Sequence, residues 1–368
     1  MKGQTTPTAI RAGLGLALLM ALLSGCQAPL GLSTAPPAQP PQYVLDPGFP
    51  RASGIQFSTV SWVAVDAETG LVWVLQRGQP AVSLWRPDGR LVSSWTTDQL
   101  GDPHSITIVG SGKDKTIWIT DMAPPNPTGP SFGHCLKRFS PAGALLGSMG
   151  VCGQGSQGTG LNPVQFDKVT YLAAAGNQNL LVTDGDISGL NNRVLTLTPS
   201  GHVLSAWSAP GNRPGTGPGQ FDLPHALAVD GCGRVWVADT LNHRVQVIAA
   251  DGRVLTQLRD FGQDGVYGIT IGPVVTGGAQ ATPAVYVTTS PTTGGSGTAF
   301  VFRAAMDCNL PAALDVKLQT KWPVAFANSP NTSPVAMAHA VAVDPVSGDV
   351  YIAPLGVNLP PQKWTLKR

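Results

Sequence analysis

Three stretches of the chain put a histidine at the head of an alternating apolar run: GDPHSITIV with His104, FDLPHALAVD with His225 and AMAHAVAVD with His339. The chain has 6 histidines, so half of them occupy one equivalent position. An imidazole serves near neutral pH as acid, base or metal ligand. Three imidazoles converging on one point suit zinc, with the fourth position open to water or substrate, which is the arrangement of a catalytic rather than a structural site. Histidines that never meet would instead be satisfied singly by water and backbone groups. The elements that carry them decide between these cases.

Those elements are short strands. After the N-terminal region the chain lacks long amphipathic helical patterns, and short alternating runs separated by Gly, Pro, Asp and Asn recur throughout. The clearest unit is GQFDLPHALAVDGCGRVWVADTLNHRVQVIAADGRVL, residues 219–255, which reads as a four-stranded antiparallel meander. Further copies cover 57–95, 101–149 and 169–207, a degenerate one starts at VYGITIGP, and the last runs from MAHAVAVD to KWTLKR. Six such units predict an all-β, six-bladed β-propeller. The last unit lacks its outermost strand, which the segment QYVLDP near Tyr43 is expected to lend.

The first strand of each blade lines the axis of such a ring. Aligning the units places Ser61, His104, Thr170, His225, Tyr267 and His339 at equivalent positions, with the histidines in alternate blades and so a third of a turn apart. Strand alternation puts His104 on one face with Ile106 and Ile108, and the other two histidines follow the same phase.

The chain begins with Lys2 and Arg11 ahead of an apolar run from Gly13 to Leu23, the pattern of a secretory signal. Leu23-Ser24-Gly25-Cys26 resembles a bacterial lipoprotein processing site, with Cys26 the lipidated residue. Residues 1–25 are thus expected to be a signal peptide, 26–42 a Pro-rich tether and 43–368 the propeller. The implied location is the bacterial cell envelope, exported and lipid-anchored, on the periplasmic face of the outer membrane or the cell surface. Four cysteines remain beyond Cys26, and an even number in an exported chain suggests disulfides. Cys135 with Cys152 and Cys232 with Cys308 is the expected pairing, although three connectivities are open. A net charge of +2 with 12% charged residues gives no footprint for nucleic acid. A monomer is expected.

The unit at 219–255, through VADTLNHRVQV, resembles the NHL repeat. The order of all six units, with SWVAVD…LQRG, DPHSITI, TDG…NNRVL, GQFDLPHALAV and MAHAV, resembles the catalytic core of the peptidyl-α-hydroxyglycine α-amidating lyases. That resemblance implies a propeller with one catalytic zinc and a structural calcium, cleaving a hydroxylated C-terminal glycine into a peptide amide and glyoxylate. It implies zinc on His104, His225 and His339, Arg77 on a substrate carboxylate, and Met337 in the pocket. The chain departs from that pattern in two places. Asp186 stands where the resemblance implies a catalytic tyrosine, leaving Asp186 or Tyr267 as acid or base, or Asp186 as a plain turn residue. Ala340 stands where it implies a calcium-binding aspartate, which speaks against calcium. Asp121, Asp184 and Asp239, at the ends of second strands, are expected to cap turns or bond neighbouring backbone. The expected partner of an enzyme is a small-molecule or peptide substrate. The rival expectation is a non-catalytic NHL scaffold that binds an envelope protein through the Gly/Pro segments 122–133, 208–218 and 273–297.

Overall fold

The computed structural model of the chain describes residues 40–122, 132–156, 160–176, 178–274, 282–304, 308, 315–326 and 336–367. The signal, Cys26 and most of the tether lie outside the described residues. The described chain forms six antiparallel sheets of four strands each. Their inner strands are Val60–Val65, Pro103–Val109, Val169–Ala174, Pro224–Val229, Gly265–Val274 and Met337–Val343. Each inner strand packs against the next, and the sixth packs back on the first, so the sheets close into a six-bladed propeller.

The local reason for strands is the run of β-branched and aromatic residues between turn formers. The second strands Val72–Gln76, Leu180–Asp184 and Val235–Asp239 are buried at every residue, because each sheet is covered on both faces by its neighbours. Closure occurs where expected: Tyr43–Asp46 pairs antiparallel with Gln362–Leu366, placing Tyr43 opposite Leu366 and Asp46 opposite Lys363. The Tyr43 ring also stacks on Trp322 of blade five at 4.5 Å.

The three aspartates at second-strand ends hold the loops that lead into inner strands. Asp121 accepts the Asp102 N–H, Asp184 the Asp167 N–H and Asp239 the Asp222 N–H, at 2.7, 2.8 and 2.8 Å. Each is also paired with a buried cation, Lys137 at 3.0 Å, Arg193 at 2.9 Å and Arg244 at 2.6 Å. Removing either member of such a pair strands a buried charge. The disulfides join Cys135 to Cys152 and Cys232 to Cys308. Part of the stretch expected as a loop at 273–297 is strand, since Thr282–Ser290 pairs with Gly265–Val274.

One feature of the inner strands was not legible as alternation. All six carry a register shift, between Val60 and Trp62, Pro103 and Ser105, Val169 and Tyr171, Pro224 and Ala226, Val266 and Gly268, and Ala338 and Ala340. The residue without a cross-strand partner is in each case the ring residue: Ser61, His104, Thr170, His225, Tyr267 or His339. A bulge re-aims the side chain it carries and resets the alternation beyond it. The expected shared face of His104 with Ile106 and Ile108 is therefore corrected. Thr107 Oγ1 bonds the Leu172 carbonyl in blade three, the neighbour that His104 also meets, whereas Ile106 and Ile108 belong to the apolar cluster with Val63 and Val74 of blade one.

Candidate metal centre

The three histidines are 1%, 2% and 1% exposed at positions 104, 225 and 339, and one ring nitrogen from each lies within 4.8 Å of the others. The opposite nitrogens are committed in a repeated way. His104 Nδ1 donates to the Thr170 carbonyl, His225 Nδ1 to the Tyr267 carbonyl and His339 Nδ1 to the Ser61 carbonyl, all at 2.8 Å. Each histidine thus bonds the ring residue of the following blade. A carbonyl only accepts, so each Nδ1 carries the proton and each Nε2 presents a lone pair. This is the outer support that fixes tautomer and orientation in metal-ligating histidines.

His225 Nε2 and His339 Nε2 approach to 2.9 Å. Two lone pairs at that separation repel unless a cation lies between them. A proton is disfavoured, because burial holds His104 and His339 well below the usual imidazole range, with the charge of His225 acting in the same direction on both. Burial lowers His225 as well, against an upward pull from Asp186. Ser61 Oγ, in the same ring, is buried without a hydrogen-bond partner. Neutral imidazoles with converging lone pairs are a divalent-cation donor set, and nitrogens bound at roughly 2.0–2.1 Å would stand about 3–4 Å apart, close to the spacing present.

Trp62 closes the site from below. Its ring lies 5.8 Å from His104, 5.9 Å from His225 and 5.6 Å from His339, and Tyr171 packs on it at 5.0 Å. Beyond that plug the axis widens into a cavity of about 260 Å³ lined by Val63, Ile106, Ile108, Val341 and Val343. The triad therefore faces the mouth where the inner strands begin. Trp62 escaped the sequence reading because it follows a ring residue, a position that alternation turns away from the axis; the bulge at Ser61 brings it in.

Around that mouth stand the residues expected to handle substrate. Asp186 Oδ2 is 3.5 Å from His104 Nε2, while its Oδ1 accepts the Ile187 N–H, so the residue shapes its turn and faces the triad at once. Tyr267 is buried against His225 with ring centroids 5.2 Å apart, and burial, with the nearby charges of Asp186 and Asp264, pushes its phenol up to about 12. Arg77 pairs with Asp102 at 3.1 Å and keeps 29% of its side chain exposed. Burial raises Asp102 to about 6; Arg77 pulls it down, and Asp121 and Asp186 push it up. Asp102 was missed in the sequence, although it lies two residues before His104 in GDPH. Met337 begins the inner strand of blade six opposite Leu355, half-buried, and no described contact links its side chain to the histidines. Ala340 is buried in apolar core, with no carboxylate to offer calcium.

Comparison with known proteins fits this picture in part. The NHL repeat profile matches residues 221–248. The mouse (Mus musculus) "NHL repeat-containing protein 3" is 38% identical over 213 residues, which is 57% of this chain and 58% of that protein. The mouse "Peptidyl-glycine alpha-amidating monooxygenase" is 28% identical over 151 residues, 40% of this chain and 14% of that protein. The chain thus spans under three fifths of the first of these relatives and a small part of the second. A solved "Streptogramin B lyase" superposes with a TM-score of 0.53 at 13% identity, covering 88% of this chain and 98% of its own, a likeness of fold.

Proposed function

We propose that the chain is an exported, zinc-dependent lyase acting on a small molecule or peptide that ends in an α-hydroxyglycine-like group. The observation that carries this reading is the trio of buried Nε2 lone pairs, each fixed by an Nδ1 bond to the next blade. The partial similarity to the amidating monooxygenase supports the substrate class. His104, His225 and His339 would hold the zinc, which when bound supplies a Lewis acid for the substrate's oxygen.

The remaining work falls to side chains of the chain itself. Arg77, partly exposed beside Asp102, would receive the substrate carboxylate on its free edge. Asp186 would take the proton from the α-hydroxyl and return it to the amide nitrogen as the carbon–nitrogen bond breaks, which leaves an amide and glyoxylate. Tyr267, whose phenol is buried beside His225, would stand by as a hydrogen-bond donor to the substrate. Trp62 shuts the lower channel, so water and substrate share one mouth.

The two disulfides point to an oxidising compartment, and among the described residues no helix is long and apolar enough to cross a membrane. A bacterial envelope location with Cys26 as lipid anchor completes the proposal.

Metal analysis of the purified propeller tests it. About one zinc per chain is expected, with affinity at least about 100-fold weaker in His225→Ala while the circular dichroism of the fold persists. Zinc binding followed by glyoxylate release from an α-hydroxyglycine peptide supports the lyase. A folded, metal-free protein supports the second reading, a binding scaffold, which the existing Arg77–Asp102 pairing favours by occupying part of the carboxylate anchor.

A further inference from the structure

The segment that presents Asp186 to the triad has a second property. Its backbone is pinned at nearly every residue. The Asp186 carboxylate accepts the Ile187 N–H at 2.6 Å, the Asp186 carbonyl accepts the Gly189 N–H at 2.8 Å, Lys168 Nζ donates to the Ile187 carbonyl at 2.6 Å, and Asp167 Oδ2 accepts the Leu190 N–H at 2.6 Å. Ser188 takes a left-handed conformation, with φ 66°, to make the turn. On this pinned loop Ile187 and Leu190 stand 65% and 68% exposed.

Single exposed aliphatics are ordinary on a protein surface. Two on one five-residue loop, whose first residue lies 3.5 Å from a triad nitrogen, put exposed aliphatic side chains one and four residues along the chain from the group that faces the site. The second-to-third-strand connections of blades four and six open on the same mouth and expose Leu241 and Val357, 38% each. Their backbones are tied to the segments that enter inner strands, through Leu241 N–H to the Asp222 carbonyl and Asn358 N–H to the Ser58 carbonyl. Among the described residues the mouth thus carries Arg77, Asp102 and Asp186 near the triad and exposed aliphatic side chains at Ile187, Leu190, Leu241 and Val357 on its connections.

We propose that the ligand of this centre is a small molecule with a metal-binding polar head and an aliphatic chain beside it, and that Ile187 and Leu190 receive the chain. The proposal rests on the metal-centre reading above and names the substrate class within it. The head occupies the open position over the three histidines, and the chain lies outward along the 186–190 loop.

The test uses the zinc-loaded propeller and two probes, acetohydroxamate and hexanohydroxamate, which share a metal-chelating head and differ by four methylenes. Each half-buried methylene is worth about a twofold gain in affinity, so hexanohydroxamate should bind at least about tenfold tighter. In Ile187→Ser/Leu190→Ser that ratio should fall to within about threefold of unity, as read by calorimetry, and the exposed positions make a folding failure no obstacle. Equal binding of both probes by the wild type, or an unchanged ratio in the variant, overturns the proposal while leaving the metal centre in place. Failure of both probes to bind a propeller that retains zinc overturns this proposal alone, and a propeller that takes up no zinc overturns the metal centre and this proposal together.

Discussion

At the scale of single residues, the centre depends on what each side chain is prevented from doing. The three imidazoles cannot turn, because their Nδ1 protons are bound to the neighbouring blades. Asp102 is held less comfortably. Its carboxyl titrates at about 6 in the folded chain and near 4 in an unfolded one, so between those values the native state binds more protons. Stability contributed by this group is therefore full below about pH 4, falls as pH rises to about 6 and is level beyond, a change of at most about 3 kcal/mol. In Asp102→Asn the metal-free protein should lose that slope, as read by urea denaturation at pH 4, 5 and 6; identical slopes in both proteins would mean that burial does not perturb this carboxyl. The histidines were legible in the sequence because the residue is rare here and its three positions are equivalent. Asp102 and Trp62 were not, because each acts through a neighbour: Asp102 through its pairing with Arg77, Trp62 through the bulge at Ser61.

At the scale of strands and turns, the repeated bulge is the device that makes a site out of a repeat. A regular inner strand would send ring residues alternately into the faces between blades; one extra residue per strand aims them along the ring instead. Gly268, directly after the bulge at Tyr267, permits the close approach this requires, since a Cβ there would lie 3.0 Å from Val341 N. Strand order and blade count could be read from turn formers and alternation, whereas bulges leave no compositional mark. The closing strand was readable because the segment at Tyr43 has strand character of its own ahead of the first unit, and it pairs with Gln362–Leu366. Deleting residues 40–46 would remove the Tyr43–Asp46 ladder and the Tyr43 stack on Trp322, exposing the edge of Gln362–Leu366. The expected outcome is a melting temperature lower by several degrees and faster proteolysis at the C-terminal strand, roughly 2–4 kcal/mol for lost burial and pairing. A truncated chain that melts with the full one would mean that the ring does not depend on this exchange.

At the scale of the whole ring, stability comes from contacts between blades, and two kinds of cross-link supplement them. The proposed metal ties blades two, four and six at the axis. The disulfides act at the rim and differ in reach: Cys135–Cys152 closes 17 residues within one blade's surroundings, while Cys232–Cys308 closes 76 and ties blade four to the segment after the third strand of blade five. Blade five is the degenerate copy of the repeat, and this disulfide ties it covalently to its regular neighbour. Chain-entropy reasoning assigns about 3 kcal/mol to the shorter closure and about 4.5 kcal/mol to the longer. Replacing both cysteines by serine, one pair at a time, should therefore lower the denaturant midpoint of unfolding more for the 232–308 pair than for the 135–152 pair. The reverse order would place the weight of the disulfides on local strain or burial around Cys135, which is fully buried, rather than on restraint of the unfolded chain.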